Sequence, residues 1–375
     1  MTADGPRTGA VVLAAGFSSR MGKCKALLDV GGPTALERTL STLRHSGVED
    51  IVVVSGHYRE EVEGEAKRGG ARAVFNEHYE KGMLSSIKAG VTALSPDFDA
   101  FFLLPVDVPL VKSATLKALR KALGFRSSLA VVFPAFLGRR GHPPLVRTDL
   151  VPGILEWNGP GGLRGFLELY EANSLVLETP DQGVITEMNT PEEYAALRSL
   201  ALRRGTPTEK ECLAFWEILS TPQDVRDHCR VVAEVAVGFA RALKGILPVD
   251  TENLAAAALL HDMSRAGRDH AEAAARTLEF WEFPETADLV RCHMDLPEGE
   301  PLLSGRSLLY LADKVVSGDR VVGLEQKREE MEKKFAADPA ALEPARRRLQ
   351  RAFEIGRTIE NTSGENLQHL LKTRY

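Results

Sequence analysis

Residues 11–28, VVLAAGFSSRMGKCKALL, constrain the chain more than any other stretch. The apolar opening, Val11-Val12-Leu13-Ala14-Ala15, reads as a buried parallel strand. At Gly16 it breaks into a small, polar, basic loop, and apolar character returns at Ala26-Leu27-Leu28. A strand emptying into a Gly/Ser loop with Arg20, Lys23 and Lys25 suits a polyphosphate. Gly16 and Gly22 let backbone amides approach phosphate oxygens, and the cations neutralise charge, Arg as a fork and Lys as a point contact. Two familiar phosphate loops are excluded. A Walker loop has four residues between its glycines and then Lys-Ser/Thr, whereas here five residues intervene and Cys24 follows Lys23. The dinucleotide pattern G-x-G-x-x-G is absent from this stretch.

Apolar runs then alternate with helical patterns. Residues 51–54, 71–75, 100–104 and 130–133 read as further strands, with a helix at 34–46 after the first. The alternation predicts a Rossmann-like α/β fold, a mostly parallel sheet with helices on both faces. Ligands of such sheets sit beyond the carboxyl ends of the strands. Ser55-Gly56-His57 follows the second strand, and Pro105-Val106-Asp107-Val108-Pro109 follows the fourth. An Asp fixed between prolines there can hold a divalent cation beside phosphates.

A length of 375 residues favours two domains. The polar break Arg203-Arg204-Gly205-Thr206-Pro207 puts the boundary near Gly205, giving domains 1–204 and 205–375. Beyond it the pattern is all-α, with helices expected at 208–219, 224–243, 251–260, 270–281, 286–291 and 304–316, and a charged, solvated helix from Glu325. A net charge of -5 leaves no basic footprint for nucleic acid. Four scattered cysteines without CxxC fit reduced thiols. With no apolar signal region and no run long enough to span a bilayer, a cytoplasmic protein without a membrane partner is expected.

The opening stretch resembles the L-A-A-G-x-S-x-R-M-G-x-x-K signature of the MobA/MocA-like nucleotidyltransferases, and every position is filled. That resemblance implies nucleotide contacts from Leu13, Ala14, Ala15, Gly16, Ser18, Ser19, Arg20 and Lys25, with Gly56 beside them. Gly82-Met83 with Ser85-Ser86 resembles the family's G-M-x-x-S-I segment near base and ribose. Asp107 takes the Mg²⁺ position of L-P-x-D-x-P, so Arg20, Lys25 and Asp107 become the expected catalytic set. His142, in a G-H-P-x-L loop, and Arg164, in a later Gly/Arg segment, fall on the acceptor side. The closing motif departs from D-I-D-T-P-E-D: Asn189 stands where the second metal-binding Asp is usual. An amide oxygen can ligate Mg²⁺ but brings no charge, so Asn189→Asp is expected to tighten the metal. The implied donor is CTP in preference to GTP. The implied acceptor is a molybdopterin-type cofactor, and a molybdenum hydroxylase would be the downstream recipient. A sugar or alditol phosphate is the competing acceptor.

In the second half, imidazoles and carboxylates recur at the ends of apolar helices, where they are costly unless paired or metal-bound. His228, His261, Asp262 and Asp313 resemble the H…HD…D signature of HD-domain metal-dependent phosphohydrolases. His270 and His293 match the extra histidines of members holding two metals. The ligand set suits Fe, Mn, Co, Ni or Mg. Lys314 and Arg265 adjoin the ligands as phosphate contacts or plain surface cations, and Cys229 and Cys292 read as bystander thiols. The resemblance implies hydrolysis of a nucleotide phosphate ester or anhydride. A regulatory nucleotide-binding module is the alternative.

Overall fold

The structure, a computed structural model, describes residues 5–265 and 269–372; residues 1–4 of the N-terminal stretch read above lie outside the described residues. It divides into two compact units, Met1–Arg203 and Arg204–Tyr375.

The first unit is built on eight strands: β1 (Thr8–Leu13), β2 (Asp50–Ser55), β3 (Arg72–Phe75), β4 (Ala100–Pro105), β5 (Val131–Phe136), β6 (Arg139–Arg140), β7 (Leu145–Arg147) and β8 (Ser174–Glu178). Their order is β3-β2-β1-β4-β7-β5-β6, with β8 added to β5. The run β3-β2-β1-β4 is wholly parallel, as the alternation predicts. The sheet is mostly parallel but mixed, because β7 runs antiparallel to both β4 and β5. β1 and β4 are buried along their whole length, which is why they read as unbroken apolar runs. β8 is half-buried and had no such signal.

Helices α1 (Ala35–His45), α2 (Arg59–Arg68), α3 (Met83–Ala93), α4 (Ser113–Phe125), α5 (Val151–Glu156), α6 (Gly162–Glu168) and α7 (Pro191–Leu202) complete this unit. α1 begins with a capping box in which Thr34 and Glu37 satisfy each other's backbone donors, and α7 repeats the device with Thr190 and Glu193. The start of α4 is fixed by buried Asp181, whose carboxylate accepts from the Lys112 amide at 2.8 Å, the Thr115 hydroxyl at 2.6 Å and the Gly183 amide at 2.9 Å. A buried carboxylate so fully paired is structural.

The second unit is helical: α8 (Glu209–Ile218), α9 (Gln223–Ala242), α10 (Thr251–Leu260), α11 (His270–Phe280), α12 (Pro284–Arg291), α13 (Gly305–Lys314), α14 (Gly323–Lys334), α15 (Pro339–Ser363) and α16 (Leu367–Lys372). The exception is a short antiparallel hairpin of β9 (Val316–Ser317) and β10 (Arg320–Val321), too short to carry a strand signature. Trp216, Phe215, Phe239, Phe283 and Tyr310 are fully buried at its centre. The Trp216 indole N–H donates to the Leu259 carbonyl at 3.0 Å, so its polar edge is satisfied. Among the described residues no helix is long and apolar enough to cross a membrane.

Candidate functional site

Two sites emerge, one in each unit. In the first, Leu13 pairs in register with Val54 on one side and Pro105 on the other. The strand order reverses direction about β1, so the loop after β1 and the turn after β4 open side by side. The Val106 amide donates to the Leu13 carbonyl at 3.1 Å and draws the two ends together. The loop after Gly16 folds back on itself. The amides of Met21 and Gly22 donate to the Ser18 carbonyl at 2.9 and 3.0 Å, and the Lys25 amide to the Ser18 hydroxyl at 3.3 Å. Gly22 has φ +63°, and a Cβ added at Gly16 or Gly22 would meet open space. Their backbone is therefore accessible to a ligand.

This loop and the β4 turn enclose a cavity of about 370 Å³. Leu13, Ala14, Ala15, Gly16, Ser18, Ser19, Arg20, Lys25, Gly82, Ser86, Asp107 and Asn189 all line it. At its centre the Lys25 ammonium donates to Asp107 Oδ2 at 3.0 Å and to Asn189 Oδ1 at 2.7 Å. Residues 82 and 164 positions apart in sequence thus converge on one cation. The Asn189 amide nitrogen donates to Glu187 Oε2 at 2.6 Å.

Four expected residues do not line the cavity. Gly56 packs against the strand end: a Cβ there would lie 2.5 Å from the Ala15 carbonyl oxygen. It holds the loop close and offers no surface to a nucleotide. The Ser85 hydroxyl is engaged with the Asn76 amide and the His78 and Gly82 carbonyls. Arg164 is largely exposed and pairs with Glu168 one turn along α6 at 3.1 Å. His142 donates its backbone amide to the Val184 carbonyl at 2.8 Å, and its ring Nδ1 is buried without a partner. Burial pushes this imidazole down, against the opposing charges of Glu187 and Asp107.

An aromatic wall at the cavity was not anticipated. The Phe17 ring lies 5.1 Å from that of His57 and 5.3 Å from that of Tyr79, with exposed Met83 also lining the cavity. Phe17 sits inside the phosphate loop, where an exposed aromatic is itself a signal.

The second site gathers all six expected residues. His228 lies on α9, His261 and Asp262 just beyond α10, His270 at the first residue of α11, His293 just past α12 and Asp313 on α13. His228, His261 and Asp262 form one group whose ligand atoms lie within 4.8 Å of one another; Asp262, His270 and His293 form a second. Asp262 belongs to both. Asp313 Oδ1 stands 3.2 Å from His228 Nε2 and 3.6 Å from His261 Nε2.

The backbone fixes how these rings are presented. Nδ1 of His228 meets the Gly318 carbonyl at 2.8 Å, Nδ1 of His261 the Ala258 carbonyl at 2.7 Å, and Nδ1 of His293 the Val290 carbonyl at 2.7 Å. A carbonyl only accepts, so each Nδ1 carries its proton and Nε2 is left as the ligand atom. Nε2 of His261 and of His293 is buried without a hydrogen bond. Orphaned nitrogens of this kind, beside oxygen donors, fit divalent metal ions. Burial works against charge on Asp262, but His293 and His261 hold its carboxyl far below the ordinary range. Desolvation also works against charge on the half-buried Asp313, but Lys314, His228 and His261 hold its carboxyl well below the ordinary range. Burial pushes His293 down.

His228, Asp262, His270 and Asp313 open onto a cavity of about 680 Å³, which Arg265 and Lys314 also line. Lys314 donates to Asp313 Oδ2 at 2.6 Å. Cys229 lies 3.7 Å from His261 on its Nδ1 side, away from the ligand atom, and Cys292 joins neither group.

An open α/β sheet with a glycine loop and a convergent Lys/Asp/Asn set at its switch point defines a nucleotidyltransferase. The helical unit brings two His/Asp groups together in the arrangement of a candidate metal centre. Residues 10–175 match the MobA-like NTP transferase domain and residues 225–318 the HD domain. The chain is 31% identical over 202 residues to a molybdenum cofactor guanylyltransferase of Xanthomonas euvesicatoria, covering 52% of this chain and 97% of that one. It belongs to the MobA-like NTP transferase family and carries an HD domain behind it. It is 27% identical over 185 residues to the molybdenum cofactor cytidylyltransferase of Escherichia coli, covering 49% of this chain and 92% of the relative. Over 96 residues it is 47% identical to a bifunctional IPC transferase and DIPP synthase of Rubrobacter xylanophilus, where the match spans 24% of this chain and only 22% of the relative.

Proposed function

We propose that the first unit transfers a nucleotidyl group from an NTP, CTP in preference to GTP, to the phosphate of a molybdopterin-type cofactor. The observation that carries this reading is the Lys25 ammonium held between Asp107 and Asn189 at the mouth of the glycine loop. Two oxygens that converge on one cation fit Mg²⁺, which binds through few protein oxygens and completes its shell with water and phosphate. Bound there, Mg²⁺ supplies charge neutralisation to the triphosphate. Amides of the loop after β1 hold the phosphates, while Arg20 and Lys25 stabilise their charge. Phe17 and Tyr79 offer flat faces to a base or pterin. An acceptor phosphate oxygen attacks the α-phosphorus, the bond to the β-bridging oxygen breaks, and pyrophosphate leaves with the electron pair. Positioning and electrostatics suffice, with no covalent protein intermediate.

Incubation with labelled CTP or GTP, Mg²⁺ and molybdopterin tests the reading. Pyrophosphate release that depends on the pterin is expected. Consumption of neither nucleotide in a pterin-dependent way sinks the acceptor assignment, and a sugar or alditol phosphate that replaces the pterin redirects it.

For the second unit the reading is hydrolysis of a nucleotide phosphate ester or anhydride. It is supported by the orphaned Nε2 atoms of His261 and His293. His228, His261, Asp262, His270, His293 and Asp313 would hold one or two ions of the Fe, Mn, Co or Ni type, which supply Lewis-acid activation of water and phosphoryl oxygen. At the cavity wall Lys314 donates to Asp313 Oδ2 and holds that carboxylate in place beside His228 and His261. Metal analysis with a phosphatase assay decides between catalyst and regulatory binding module: a metal-free, inactive domain favours the module.

A further inference from the structure

The cavity beside the histidine cluster is not closed by the HD-matched residues alone. α14 and α15 lie beyond residue 318, where that match ends. Yet Lys327, Met331 and Lys334 of α14, with Phe335 just after it, line the same 680 Å³ space as His228, Asp262, His270 and Asp313. Lys327 is the informative residue. It is half-buried, and its Nζ donates to the Val316 carbonyl at 2.8 Å. Among the described residues it forms no ion pair, whereas Lys314 is tied to Asp313. An ammonium has three donors and the Val316 carbonyl takes one, so two are left to face the cavity. Burial pulls its proton affinity down; the charges of Asp313 and Glu330 raise it, while those of Lys314 and Arg265 lower it further. Glu330 is occupied elsewhere, accepting from Ser317 at 3.0 Å. Met331 and Phe335 add an apolar wall that inorganic phosphate or pyrophosphate would leave unused.

We infer that α14 is the recognition arm of the second site: Lys327 binds the non-scissile phosphoryl group of a nucleoside di- or triphosphate, whose organic part lies against Met331 and Phe335. This rests on the phosphohydrolase reading above. In the reaction a water oxygen bonds to the terminal phosphorus and the bond from that phosphorus to the bridging oxygen breaks. The electron pair stays on the leaving phosphate, whose charge Lys327 neutralises, and the water proton passes to solvent.

The test uses the full chain loaded with Mn²⁺ and follows phosphate release from CDP, pyrophosphate and p-nitrophenyl phosphate. Lys327→Met is expected to raise KM for CDP by roughly 10- to 100-fold, the value of one charged hydrogen bond, and to leave p-nitrophenyl phosphate within about twofold. Lys327→Arg should restore most of the CDP affinity, and Phe335→Ala should weaken CDP but not pyrophosphate. Equal losses on CDP and p-nitrophenyl phosphate, or no loss on CDP, overturn the inference while leaving the phosphohydrolase reading intact. Cleavage of p-nitrophenyl phosphate but not CDP by the wild type also overturns it. If the wild type releases phosphate from none of the three, the phosphohydrolase reading fails. Calorimetric binding of methylene-bridged CDP then decides the recognition claim: loss of one class of sites in Lys327→Met supports it, and unchanged binding overturns it.

Discussion

The two sites solve the same problem, gathering anionic oxygens, with opposite materials. The first is made mainly of backbone: a glycine loop at a strand end, a few hydroxyls, and one carboxylate already neutralised by Lys25. The second is made of side chains, with three imidazoles each locked by a carbonyl behind it and two ligand nitrogens left without partners. The difference teaches an order of assembly. The first site, with its own cation, should take metal only together with phosphate. The second, with ligand nitrogens left unpartnered, should take metal whether or not substrate is present.

Breaking the second site should have the largest effect. Asp262 is shared by both ligand groups, so Asp262→Ala removes a ligand from each. Several kcal/mol of charge stabilisation corresponds to a phosphatase loss of about 10³-fold or more. Elemental analysis should show metal lost in parallel, and an active, metal-loaded Asp262→Ala would refute the assignment. The next effect belongs to the first site. Lys25→Met should lower pyrophosphate release by roughly 10²-fold, the scale of one preorganised electrostatic contact. It should also expose Asp107, so that nucleotide-free chain gains a weak Mn²⁺ site measurable by spin-label-free electron paramagnetic titration. If wild type already fills that site without nucleotide, the contrast between the two halves is lost.

A smaller effect sharpens the comparison at Asn189. From sequence alone, Asn189→Asp should simply tighten Mg²⁺. The structure alters that expectation, because the Asn189 amide donates to Glu187 at 2.6 Å and a carboxylate there would oppose another. The single change should therefore give little. Glu187→Gln with Asn189→Asp removes the repulsion and should tighten Mg²⁺ in the nucleotide complex by about tenfold, since ligand charge tunes affinity. Calorimetry on the single and double variants separates the two terms.

The legible parts were those with a local signature. β1 and β4 announce themselves because burial on both faces demands continuous apolar residues. The glycine loop and Asp107 each follow one strand end, whereas the six residues of the helical site, spread from α9 to α13, were read only from their resemblance to the H…HD…D signature. Illegible were contacts between distant segments. Nothing near Gly56 says that Ala15 will press against it, and nothing near Ser85 reveals the Asn76 network that occupies its hydroxyl. The same holds for Lys327, which lies in a run of alternating charge that reads as a solvated helix face. Only packing of α14 beside the histidine cavity distinguishes it from its neighbours. β8 escaped because a half-buried edge of five residues carries too little apolar pattern.

The smallest effect turns on one imidazole. His142 differs from His228, His261 and His293 in that its Nδ1 is buried with no carbonyl behind it. Burial holds its proton affinity below the ordinary value of 6.5 despite Glu187 and Asp107. Above that value the ring is neutral whether the chain is folded or not, and it adds no pH dependence. As pH falls below it, the unfolded chain takes up a proton that the folded one resists, so stability declines until the folded ring is protonated too. Melting temperatures of chelator-treated wild type and His142→Gln, followed from pH 7.5 to 5, should draw together as the pH falls if His142→Gln starts lower, or separate with the variant ending higher if it starts equal. Parallel curves would mean that the folded ring takes up its proton as readily as the unfolded one. Below the ordinary value of 6.5 it would then meet an acceptor phosphate as a cation and not as a neutral hydrogen-bonding ring.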